Sequence, residues 1–104
     1  MHTYLGIETR KIAATDRKPA RVVATCSECK RRTVVDWYHP FGPERSHRVA
    51  AEVHAEEHAK VWRAEPGAHA YVLYASVGDP IRTRSGYVFA LNMHRELRAG
   101  FRAA

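Results

Sequence analysis

The chain has 104 residues with no glutamine, a single asparagine (Asn92) and two cysteines. Glutamine and asparagine are the side chains that pair with an adenine edge through two hydrogen bonds. Their scarcity argues against base-by-base reading of DNA. Two cysteines are too few for the disulfide framework of a small secreted domain. Nothing at the start of the sequence resembles a secretion signal, so a reducing, cytoplasmic setting is expected. Long hydrophobic runs are also missing. The longest, from Ala68 to Val77, is interrupted by His69 and Ser76, which excludes a membrane-spanning helix. There is no repeat, linker or low-complexity tract. Lysine is scarce beside arginine and alanine, a bias of high-GC genomes and consistent with a bacterial or phage source.

An apolar content of 45% is that of a globular chain rather than a disordered one. The length fits a single domain over residues 1–104, with a core small enough to gain from a metal staple. Net charge is +6, which suits a polyanionic partner. The charge is unevenly spread. Residues 1–45 carry nine Lys/Arg against five Asp/Glu, residues 46–66 carry three against four, and residues 67–104 carry five against two.

The chemistry concentrates in Cys26-Ser27-Glu28-Cys29 and in His54-Ala55-Glu56-Glu57-His58. A Cys-x-x-Cys turn aims two sulfurs at one point. Two histidines four apart lie on one face of a helix. Zinc takes four such ligands in a tetrahedron, so Cys26, Cys29, His54 and His58 are the expected zinc ligands. A redox pair or a disulfide at Cys26 and Cys29 is the competing reading. Redox motifs of this spacing open a helix, however, whereas Lys30-Arg31-Arg32 and a β-branched run follow here. His47 and His39 are possible substitutes for a histidine ligand.

These four residues resemble the ligand pattern of Cys2His2 zinc fingers, over roughly residues 22–63. The spacer departs from the family. It has 24 residues between Cys29 and His54, about twice the usual 12. That leaves room for an extra strand, so a treble-clef-like arrangement is equally compatible. The family's base-contacting positions would fall on His47, Ala50 and Val53, and neither Ala50 nor Val53 can hydrogen-bond a base. The resemblance therefore implies a structural zinc and not sequence-specific reading. Asp36-Trp37-Tyr38-His39-Pro40 is faintly similar to the first histidine segment of HNH nucleases. The second polar anchor of such a site, usually Asn, is missing, and four ligands close a zinc to substrate. No enzyme activity and no small-molecule substrate are expected.

Local patterns suggest an α+β fold in which antiparallel hairpins pack on one central helix. Strands are expected over residues 3–13 and 21–25, joined by a turn at Thr15–Pro19, and over residues 33–38. Prolines 40 and 43 argue against helix there. Ser46 is a good N-cap, and Glu65-Pro66-Gly67 a stop, so the helix is expected from Ser46 to Ala64. Its inward face would carry His54, His58, Ala50, Ala51, Val61 and Trp62. Its outward face would carry Arg48, Glu52, Glu56, Lys60 and Arg63, with Glu56 paired to Lys60. A strand at residues 70–77, a turn at Gly78-Asp79-Pro80, a basic loop at residues 81–86 and a strand at residues 87–91 follow. Both faces of the strand at residues 70–77 look partly covered. Met93, Leu97 and Phe101 suggest a short C-terminal helix or a frayed tail.

Two kinds of partner fit. One is nucleic acid, DNA or RNA, gripped through phosphates by Arg17 and Lys18 at the hairpin tip with Arg10, Lys11 and Arg21 nearby, by Lys30, Arg31 and Arg32, and by Arg82 and Arg84. The other is a protein, for which the chain would act as a small regulator or inhibitor with Tyr, Trp and Arg anchors. The aromatics Trp37, Tyr38 and Phe41 read as packing rather than as a base-stacking platform.

Overall fold

The structure is a computed structural model that describes residues 6–26, 31–64 and 71–97. Five antiparallel strands form one curled sheet: β1 (Gly6–Ile12), β2 (Arg21–Cys26), β3 (Arg32–Asp36), β4 (Tyr71–Arg82) and β5 (Gly86–Leu97). Their order across the sheet is β3-β2-β1-β5-β4. Among the described residues one α-helix, α1 (Gly42–Arg63), packs on one face and touches all five strands. The α+β expectation holds, with the hairpins merged into one sheet.

Alternation builds the sheet. In β1, Ile7 and Thr9 are buried while Glu8 and Arg10 are exposed, as period two requires. Ile7 pairs with Cys26 and Phe89, and Thr9 with Ala24 and Tyr87. The core is Ile7, Val22, Ala24, Phe89 and Leu91 from the sheet against Ala50, Ala51 and Ala55 from α1. Three alanines on one helix face allow its axis to come close to the strands. Trp37 packs at the edge of this core. Tyr38 and Phe41 meet edge to face at 4.7 Å, so these three rings are engaged in packing.

Several local expectations are corrected. The helix begins at Gly42, four residues before Ser46, after a short 3₁₀ turn at His39–Phe41. Pro43 sits in the first turn, where a missing N–H costs nothing. Ser46 is not a cap; its hydroxyl donates back to Gly42 O at 2.8 Å. Val61 is 52% exposed, so it lies outside the inward face. Glu56 binds Arg63 at 2.7 Å rather than Lys60, which binds Glu57 at 3.2 Å. Gly78-Asp79-Pro80 does not turn the chain. β4 runs through it with a bulge opposite Ala90, and Pro80 is tolerated because β4 is an edge strand. Leu73 of β4 is buried but Val72 and Tyr74 are exposed, so only one face of this strand is covered. Residues 93–97 continue β5 instead of opening a helix; residues 98–104 lie outside the described residues.

The β4–β5 turn closes with Thr83 N–H donating to Gly86 O at 2.8 Å. A Cβ at Gly86 would fall 1.8 Å from Thr9 O. Glycine is required here because the backbones of β1 and β5 touch.

Candidate metal centre

Cys26 ends β2, His54 and His58 rise from successive turns of α1, and the fold brings all three together. One donor atom from each lies within 4.8 Å of the others, a group that could hold a metal ion. Cys26 Sγ is 2.9 Å from His58 Nε2. The two imidazoles meet edge to face with centroids 5.2 Å apart. Cys29 and Lys30 lie outside the described residues.

Thr33 on β3 holds the back of His54, with Oγ1 2.9 Å from Nδ1. A hydroxyl that accepts from Nδ1–H leaves the lone pair on Nε2, the tautomer a metal requires, and fixes the ring. His54 is fully buried. Burial, with the nearby His58 adding to it and Glu57 opposing it, holds its pKa below the ordinary imidazole range. A neutral ring at pH 7 is ready to bind a metal. Thr33 comes from the extra strand that the long spacer accommodates.

Among the described residues, the group of donors that could hold a metal does not include His47. Thr9 Oγ1 donates to Tyr87 O at 3.3 Å and lies 2.8 Å from His47 Nδ1. The hydroxyl anchors the Nδ1 side of the ring to β1. The ring packs against Tyr87 and the edge of Trp37. The side chain of His39 lies outside the described residues.

Burial lowers the pKa of His47, and the charge of Lys11 adds to the effect. The unfolded chain then binds more protons below pH 6.5, so stability is complete above that pH and falls as the pH drops toward the depressed folded value. The variant His47→Phe should show a smaller drop in thermal midpoint between pH 7.5 and pH 5.5 than the wild type, both loaded with metal. An equal drop would show that His47 does not titrate on unfolding.

The expected phosphate-binding residues do not form one patch. Arg31 turns to the helix side and meets Glu57 at 3.7 Å. Arg17 and Lys18 sit exposed in the β1–β2 turn, and Arg82 is exposed at the end of β4. Arg32 and Arg84 do converge, on the sheet face away from α1. There they line a cavity of about 440 Å³ with Arg10, Glu8, Thr25, Thr83 and Ser85. By its place in the chain Arg10 is expected only near the hairpin tip. The alternation of β1 carried the missing signal, since it sets Arg10 opposite Ile7 and Thr9.

No helix among the described residues is long and apolar enough to cross a membrane. No protein-family model, curated protein or solved structure matches the chain.

Proposed function

We propose that the protein is a zinc-stabilised module that binds nucleic acid through its phosphates, with little base specificity and no catalysis. Thiolate and imidazole donors suit zinc, and Cys29 is the proposed fourth ligand beside Cys26, His54 and His58. The observation that carries the binding role is the cavity on the open sheet face. Three guanidiniums, Arg10, Arg32 and Arg84, line it against one carboxylate, Glu8. None of these four forms an ion pair or side-chain hydrogen bond among the described residues. Solvated guanidiniums around hydroxyls fit phosphate oxygens.

The helix is the poorer candidate surface. Arg63 and Lys60 are paired with Glu56 and Glu57, and Glu52 is exposed beside them. That face would repel a duplex groove.

The test is a salt series of binding to labelled oligonucleotides. The variant Arg10→Ala/Arg32→Ala/Arg84→Ala should lose most binding at low salt. It should also flatten the plot of log K against log salt by roughly two for a single strand, the share of three phosphate contacts. Arg17→Ala/Lys18→Ala should change both much less. Glu8→Gln should tighten binding, because it removes the carboxylate that lines the cavity among the described residues. An unchanged slope in the triple variant would remove the groove from the role. Absence of binding even at low salt would move the function to a protein partner.

A further inference from the structure

The open sheet face carries a second feature besides the basic groove. Val88 lines the groove on β5. Continuing along that strand in steps of two, Ala90, Asn92 and His94 share its face. His94 pairs across to Tyr74 of β4. The two rings are stacked, with centroids 4.5 Å apart and planes within 10°. Their orientation is fixed at both ends. Ser76 Oγ lies 2.8 Å from His94 Nε2, and the Tyr74 hydroxyl donates to Glu96 at 3.2 Å. Tyr74 nevertheless remains 37% exposed. From Val88 to His94 the strand covers about 20 Å at 3.3 Å per residue.

A groove of guanidiniums followed along one sheet face by a fixed aromatic pair is the arrangement that suits unpaired bases. The guanidiniums follow the backbone, and a ring of fixed orientation offers a base its flat side. In a duplex the bases are already stacked and paired, and among the described residues this sheet face carries no helix to enter a groove. We propose that the occupant of this face is a single-stranded nucleic acid, with phosphates at Arg10, Arg32 and Arg84 and a base stacked at Tyr74–His94. This rests on the phosphate-binding reading above and adds the strandedness of the ligand and the residues that select it.

The experiment compares a labelled twelve-nucleotide oligo(dT), the matching oligo(rU) and a duplex of the same length. The proteins are the zinc-loaded wild type, Tyr74→Leu, Tyr74→Phe and the triple arginine variant. Leucine keeps an apolar side chain on the edge strand without a π-face, and each variant's thermal midpoint confirms that it is folded. The wild type should bind single strand more tightly than duplex. Tyr74→Leu should weaken single-strand binding about fivefold or more, the lower range of one base–aromatic stack, and leave duplex binding unchanged. Tyr74→Phe should restore it. Similar affinity for oligo(dT) and oligo(rU) is expected, since neither feature addresses the 2′-hydroxyl. Duplex bound as tightly as single strand, or Tyr74→Leu binding like wild type, would overturn the single-strand assignment while leaving the groove intact. Single-strand binding that survives in the triple arginine variant would overturn the groove itself.

Discussion

Stripping the metal should lower the thermal midpoint by roughly 20 °C, or abolish the cooperative transition. Cys26 at the end of β2 and His54 and His58 on α1 bring donor atoms within 4.8 Å of one another, so a metal held there would tie the two elements. A ligand that binds only the folded chain stabilises it by about 4 kcal/mol when present at 1,000 times its dissociation constant. At roughly 4–8 °C per kcal/mol for a domain near this size, that is a shift of some 16–32 °C. A fold of this length has only about 5–15 kcal/mol in total. The same excess of chelator should leave Cys26→Ser unaffected, because that variant has already lost a ligand. His54→Ala should behave like Cys26→Ser and additionally leave the Thr33 hydroxyl without its imidazole. A wild-type midpoint that does not move with chelator would show that no metal supports the fold.

Gly86→Ala should destabilise the protein by more than about 3 kcal/mol, the upper range for overpacking a core. The added Cβ meets backbone and not a side chain, at 1.8 Å from Thr9 O and 3.0 Å from Arg10 Cα. Those atoms cannot move aside, because β1 is paired with β2 on one edge and β5 on the other. Relief requires opening the ladder at the centre of the sheet. Gly42→Ala provides the contrast. Gly42 has φ of 75° with open space around its Cβ position, so alanine there should cost only about 1–2 kcal/mol of left-handed backbone strain. Urea unfolding of the two variants checks the order. A Gly42 variant less stable than the Gly86 variant would contradict the close approach of β1 and β5.

The group of Cys26, His54 and His58 was legible because two histidines four apart share one helix face by spacing alone, and long-range folding had only to bring Cys26 to them. The helix start differs from the sequence expectation because Pro43 falls in the first turn, where proline is tolerated, and not inside the helix. The end of β5 differs from its sequence pattern for another reason. Met93 and Leu97 have helical spacing, but cross-strand pairing with Tyr71–Ala75 decides their conformation, and strand preference depends on such partners. The groove was the hardest feature to see. Arg10, Arg32 and Arg84 belong to three separate segments, and only sheet order and curl place them around one cavity. Arg31 and Arg32 looked like one basic cluster, yet Arg31 faces the helix and its Glu57 while Arg32 faces the groove.

A metal held by Cys26, His54 and His58 would join the end of β2 to α1, beside the strand that carries Arg32. The most direct test of this site is the absorption spectrum of the chain refolded with one equivalent of cobalt(II), which takes zinc's place and reports its ligands. The expected result is strong d–d bands of a tetrahedral centre with sulfur-to-cobalt charge transfer, saturating at one metal per chain, displaced by zinc and weakened in Cys26→Ser and Cys29→Ser alike. Weak octahedral bands without charge transfer, or a spectrum unchanged by loss of Cys26, would contradict the assignment.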